Sequence, residues 1–233
     1  MFRRLLASAA ASLPSQCAVC HAWPSEPVCE ACVQRFAQPV PRCRTCALPT
    51  TGGAGQCGDC VRHPPPLDAC YCAVAYDYPW TDCVSQFKFR QHPGWAVALA
   101  DLMRHAPWIE ATLDDCDLVL PMPLSRQKLR ERGFNQSMEL ARRLSPAKTD
   151  AHLLLRIRDT APQLALSAAA RRQNVRGAFA LEPLRSARVR DRRLVLLDDV
   201  MTSGASMFAA AEVLREAGAA SVTGLVLART PKF

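Results

Sequence analysis

No run of apolar residues in the 233-residue chain reaches the roughly 18 that a membrane-crossing helix needs, which excludes an integral membrane span of that kind. Aromatic residues are scarce at 6%, leaving little surface for stacking bases. Charged residues make up 21% and hydrophobic residues 49%, a balance that excludes a disordered chain and allows a sizeable core. Acidic residues are outnumbered, 21 against 29 basic, for a net charge of +8. The imbalance is local. Residues 121–193 hold seventeen Lys and Arg against six Asp and Glu, a net +11, whereas residues 67–120 are acidic. A basic block of this size suits an anionic partner, either the phosphates of a small ligand or a nucleic-acid backbone, and a solvated surface would look the same.

Cysteine is the residue in excess. Twelve are present, and eight fall between Cys17 and Cys60. A core of this size needs no disulfide staples, so the density has another cause. The spacing is Cys17-x2-Cys20, Cys29-x2-Cys32, Cys43-x2-Cys46 and Cys57-x2-Cys60. Two thiolates two residues apart grip one metal ion from a tight turn, and two such turns complete a closed tetrahedral site that suits structural Zn2+. Neighbouring pairs would give two sites, Cys17, Cys20, Cys29, Cys32 and Cys43, Cys46, Cys57, Cys60. An interleaved pairing is the alternative, but short loops cost less entropy to close. Residues 17–66 thus read as a module with about two zinc ions, folded largely by metal. Arg3, Arg4 and the run to Leu13 imitate a signal peptide, but the run is weakly apolar, and secretion would oxidise eight close thiols. A short helix over 1–16 in a cytoplasmic protein is the reading preferred. Pro64-Pro65-Pro66 marks the boundary to a second domain over 67–233. Cys70 and Cys72 lie on an alternating stretch and read as core.

In that second domain strands alternate with helices. Strands are predicted at 70–78, 118–120, 153–157, 194–197 and 221–228, and helices near 80–90, 95–105, 134–144 and 206–217, with Gly218 capping the last. The class is α/β, a mainly parallel sheet flanked by helices, whose ligands sit beyond the carboxyl ends of the strands. One strand end is unusual. Leu194-Val-Leu-Leu is followed by Asp198-Asp199-Val200-Met201-Thr202-Ser203-Gly204-Ala205-Ser206. Two carboxylates precede a hydroxyl-rich turn with one glycine, which opens a helix. Backbone amides and the Thr202, Ser203 and Ser206 hydroxyls would bind phosphate, and Gly204 would let it come close. The carboxylates suit ribose hydroxyls or Mg2+.

This run resembles the phosphoribosyl-pyrophosphate (PRPP) motif of type I phosphoribosyltransferases, with Ser203 and Ser206 where threonines are usual. Together with Pro121-Met-Pro-Leu-Ser125, Arg132-Gly-Phe-Asn-Gln-Ser137, Gly177-Ala-Phe179 and the cysteine knuckles, it resembles the ComF family, the competence protein F or amidophosphoribosyltransferase-like proteins, over nearly the whole chain. The resemblance implies an N-terminal double zinc ribbon on a type I phosphoribosyltransferase domain. It implies PRPP binding by Asp198, Asp199, Val200, Met201, Thr202, Ser203, Gly204, Ala205 and Ser206, and a pyrophosphate loop carrying Arg126, Lys128, Arg130 and Arg132. Asp198, Asp199 and Arg132 would be catalytic, with Mg2+ on the pyrophosphate. A covering loop over Ala161–Gly177 would bring Arg171, Arg172 and Arg176 to the phosphates. The activity implied is displacement of pyrophosphate from C1 of PRPP by a nitrogen nucleophile. Two other readings stay open: a factor for single-stranded DNA in natural competence, with a helicase of that machinery as partner, and a PRPP sensor without turnover.

Overall fold

The computed structural model describes residues 15–89, 92–159 and 175–231. Residues 1–14 of the expected N-terminal helix, and Arg171 and Arg172 of the expected covering loop, lie outside them. The chain divides into two compact units, Met1–Gln38 and Pro39–Phe233. In the first, a short bridge joins Ser15 to Ser25, and α1 (Glu30–Phe36) starts within the second cysteine pair, Cys29 capping it and Cys32 lying in its first turn. In the second, the other two pairs come first, the last of them at the start of α2 (Gly58–Arg62).

The larger unit is built on a four-stranded sheet. Its strands are β1 (Ala69–Ala75), β2 (Leu118–Pro121), β5 (Arg193–Met201) and β6 (Ser221–Arg229), in the order β1-β6-β5-β2, every pair parallel. Between them run α3 (Trp80–Phe89), α4 (Trp95–Arg104), α5 (Ile109–Asp115), α6 (Arg126–Arg132), α7 (Gln136–Leu144) and α8 (Ala205–Glu216). A separate antiparallel ribbon pairs β3 (Leu154–Arg156) with β4 (Phe179–Leu181).

Both faces of the sheet are covered because the strands are apolar on both. Leu194, Leu196, Val222 and Val226 share one core with Met207, Ala210, Ala211 and Leu214 of α8. Leu153, Leu154 and Phe179 of the ribbon region join that core, and so do Cys43, Cys46, Ala47, Leu48 and Cys60. Strand alternation turns Val195 and Leu197 the other way. There α7 packs on β2 and β5, and α4 packs on α7 and β1. Cys70 and Cys72 are buried core residues, as expected, and burial pushes Cys72 up to about 11.

Three local expectations are corrected. The strand predicted over 194–197 does not stop at the acids. It runs on to Met201, because β6 offers a ladder that continues beside it, pairing Asp198 with Val226 and Met201 with Arg229. The segment expected to be a pyrophosphate loop, with Arg126, Lys128, Arg130 and Arg132, is a helix, α6. Ser125 caps it, its hydroxyl accepting from the Lys128 amide at 3.3 Å, and Gly133 ends it at φ 77°. The predicted helix over 134–144 therefore begins at Gln136, with Asn135 as its cap, accepting from the Met138 amide.

Candidate functional site

The Met201–Ala205 turn sits at the carboxyl edge of the sheet, where β5 passes into α8. Gly204 takes φ 82°, in the left-handed region, and caps α8. A Cβ there would lie 2.6 Å from the Met201 methyl and 2.7 Å from the Phe208 ring, so no other residue fits this turn unchanged. The backbone amides of Thr202, Ser203, Gly204 and Ser206 find no hydrogen-bond acceptor among the described residues, and the Ser203 hydroxyl accepts from the Ala205 amide at 3.4 Å. Free amides at a helix start are what an anion binds to.

The two acids have different surroundings. Asp199 is buried at 6% exposure and pairs with the Lys88 ammonium at 3.0 Å. Asp198 Oδ1 accepts from the Ser137 hydroxyl at 2.9 Å and from the Asp199 amide at 2.9 Å. Burial first, and the adjacent Asp199 carboxylate second, push the Asp198 carboxyl up to about 7.

Cations gather around these carboxylates. The Lys128 ammonium is lowered by partial desolvation, then by Arg156, Arg132 and Lys88, while Asp198 opposes the shift. Arg156 is lowered by burial, with Asp159 and Asp198 opposing. Arg132 donates to Gln136 Oε1 at 2.9 Å and lies over the Phe89 ring, 5.5 Å from its centroid. Lys88 pairs with Asp199, Lys128 and Arg156 lie close enough to Asp198 for their charges to interact, and Arg132 lies near Lys128. Of the basic residues expected at pyrophosphate, Lys128 thus interacts with Asp198, and Arg132 lies near Lys128. Arg126 and Arg130 are exposed on α6 and make no ion pair among the described residues. The Arg176 carbonyl accepts from Arg158 Nη2 at 2.6 Å.

Lys88, Arg156 and Ser137 were not singled out from the sequence. Lys88 sits between Phe87 and Phe89 on an ordinary amphipathic helix. Arg156 interrupts a short apolar strand. Ser137 closes the Arg132–Ser137 run, which was the one available signal for it.

The eight knuckle cysteines form two groups, each of neighbouring pairs. The sulfurs of Cys17, Cys20, Cys29 and Cys32 lie within 4.8 Å of one another, as do those of Cys43, Cys46, Cys57 and Cys60. Sulfur separations are 3.9 Å for Cys17 and Cys32, 3.6 Å for Cys20 and Cys29, and 3.7 Å for Cys46 and Cys57. A tetrahedral Zn2+ with Zn–S bonds of about 2.3 Å requires edges of roughly 3.8 Å, so both groups fit the ion. None of the twelve cysteines forms a disulfide. In the first group burial opposes ionisation, yet amides of Cys20, Cys29 and Val19 draw the Cys17 thiol down to about 6. Burial, with neighbouring sulfurs adding to it, pushes Cys32 well up.

Residues 130–232 match the family model of the phosphoribosyl transferase domain. The DNA utilization protein YhgH of Escherichia coli O6:H1 is 33% identical over 210 residues, covering 87% of this chain and 90% of that protein. Competence protein F of Haemophilus influenzae is 28% identical over 208 residues, with the same coverage. A solved structure titled as the allosteric regulatory enzyme of purine biosynthesis is 19% identical with a TM-score of 0.37, covering 62% of this chain and 30% of its own. Identity of this order over 87% of the chain means that the chain belongs to the ComF family of competence protein F and YhgH and carries a phosphoribosyltransferase domain.

Proposed function

We propose that the chain is a PRPP-dependent phosphoribosyltransferase acting at the carboxyl edge of β5. The observation that carries this reading is the grouping of Lys88, Lys128 and Arg156 about Asp198 and Asp199, beside a turn of free amides. The 5′-phosphate would take the amides and hydroxyls of Thr202, Ser203 and Ser206. The ribose hydroxyls would donate to Asp199 and Asp198. Lys88, now the counter-ion of Asp199, would be released to the pyrophosphate as the sugar arrives.

The C1–O bond then breaks with its electron pair leaving on pyrophosphate, and the acceptor nitrogen forms the new bond to C1 and gives up its proton to solvent. Lys128, Arg132 and Arg156 stabilise the charge that develops on the leaving group. Mg2+ would neutralise part of that charge, and the carboxylates of Asp198 and Asp199 are the oxygen donors suited to hold it near the sugar. An oxocarbenium-like transition state needs charge stabilisation more than a strong base.

Titration of PRPP and ribose-5-phosphate with Mg2+ present tests the reading. Binding of PRPP, weakened by Asp199→Ala and Thr202→Ala, is expected. No binding of either compound at millimolar concentration would refute it. Release of pyrophosphate with a panel of nitrogen acceptors separates an enzyme from a sensor.

A second reading is favoured by a separate observation. Arg142, Arg143, Arg190, Arg192 and Arg193 are exposed, at the end of α7 and around the start of β5, away from the carboxyl edge. With the names of the YhgH relatives, this supports weak binding of single-stranded DNA by the 121–193 segment. The two readings use different faces and do not exclude each other.

A further inference from the structure

A buried cation without an acidic partner joins the second cysteine group to the Met201–Ala205 turn. Arg229, the last residue of β6, is 2% exposed. Its Nε donates to the Cys46 carbonyl at 2.8 Å. Its Nη1 donates to the Met201 and Thr230 carbonyls, both at 2.9 Å, and to the Thr202 carbonyl. No carboxylate pairs with it among the described residues. One guanidinium thus holds a knuckle on one side and the start of the turn on the other. The same two regions also touch through Cys70, whose thiol lies 3.7 Å from the Met201 sulfur and whose amide donates to the Arg44 carbonyl at 2.7 Å.

A buried guanidinium is stable only if its charge is countered. Carbonyl dipoles supply part. Four thiolates around one divalent cation keep a net double negative charge, and the Cys43, Cys46, Cys57, Cys60 group fits such an ion. Metal there would therefore do two things for Arg229. It would fix the Cys46 carbonyl in place, and it would supply the missing counter-charge.

We propose that the second four-thiolate centre sets the geometry of the phosphate-binding turn through Arg229, which acts as a positioning residue, so that metal at this centre controls ribose-phosphate affinity. The inference rests on reading Asp198–Ser206 as the ribose-phosphate site. Without the metal, Arg229 loses its anchor at Cys46 and its counter-charge, and the Met201 and Thr202 carbonyls lose their common donor. The amides that follow are then no longer held for phosphate. The first group belongs to the other compact unit and serves as the control.

The test compares the full-length wild type with Cys57→Ser, Cys20→Ser and Arg229→Lys. Zinc per chain, ribose-5-phosphate affinity and hydrogen exchange at the Thr230 and Phe208 amides are measured. These two amides donate to the Met201 and Gly204 carbonyls of the turn. Both cysteine variants should keep about half of the wild-type zinc. Cys57→Ser should weaken ribose-5-phosphate roughly tenfold and speed exchange at both amides, whereas Cys20→Ser should change neither. Arg229→Lys should keep all the zinc and still weaken binding roughly fivefold or more, because an ammonium lacks the fork that reaches both sides. Wild-type affinity in Arg229→Lys, or an equal loss in Cys20→Ser, overturns the proposal. If Cys57→Ser fails to fold, Arg229→Lys and Cys20→Ser decide. If the wild type binds no ribose-5-phosphate, the functional reading falls and exchange alone judges the coupling: faster exchange in Cys57→Ser and Arg229→Lys but not Cys20→Ser upholds it, and unchanged exchange defeats it.

Discussion

Replacing Asp198 by asparagine should make the ligand-free protein more stable at alkaline pH while impairing ribose binding. Asp198 accepts two hydrogen bonds through Oδ1, from Ser137 and from the Asp199 amide, and an asparagine Oδ1 keeps both acceptor roles. What the substitution removes is a half-buried charge next to another of the same sign. Burial and Asp199 raise this carboxyl from 3.8 to about 7. Below the lower value both folded and unfolded chains hold the proton, and the group is neutral to stability. Between the two values only the folded chain holds it, so the cost of Asp198 grows with pH. Above the upper value the cost is complete. Three pKa units at about 1.36 kcal/mol each set a ceiling of roughly 4 kcal/mol. The new amide group needs a partner and Lys88 loses one attraction, so a net gain of about 1–3 kcal/mol is expected. For a chain of this length each kcal/mol is worth about 2–4 °C in melting temperature. Thermal melts of wild type and Asp198→Asn at about pH 8 and about pH 4 provide the assay, with a gain at the higher pH that fades at the lower. A variant that melts below wild type at the higher pH, or gains equally at both, refutes the reasoning. Ribose-5-phosphate titration of the same variant should show the functional cost.

Lys88→Met should strand the Asp199 carboxylate in a buried site and destabilise by about 3–5 kcal/mol near neutral pH, with Lys88→Arg recovering most of it in chemical denaturation. Gly204→Ala should cost about 1–3 kcal/mol and weaken ribose-5-phosphate binding, because the left-handed backbone and the contacts with Met201 and Phe208 both oppose a Cβ, and calorimetric titration would read the loss. Metal analysis of protein purified without chelator should give about two zinc ions per chain, and one or fewer would disprove the two-site reading. Single-stranded DNA binding, if carried by residues 121–193, should fall steeply between low and moderate salt in fluorescence anisotropy, and salt-independent affinity would rule out that role.

Features with a short-range cause were legible in the sequence. Two cysteines two residues apart suit a metal-gripping turn, so the thiol pairs were legible from spacing; loop length favoured neighbouring pairing over interleaving, and the structure shows it. The apolar runs at 118–120, 194–197 and 221–228 could be nothing but buried strands in an α/β pattern, and the two acids, three hydroxyls and one glycine after them marked the turn. Features that depend on which distant segments meet were not legible. Asp198 and Asp199 stay within β5 because β6 continues alongside, and a strand's end is set by its neighbour as much as by its own residues. Lys88, Arg156 and Ser137 come from α3, β3 and α7, and reach the acids only because the fold brings these elements to one sheet edge. Arg229 ends an ordinary strand in the sequence. Its four carbonyl partners come from Cys46, Met201, Thr202 and Thr230, three of them on segments far along the chain, and only the folded chain gathers them around one guanidinium. A side chain's chemistry is fixed by its residue type, but its charge state and partners are fixed by what tertiary packing places beside it.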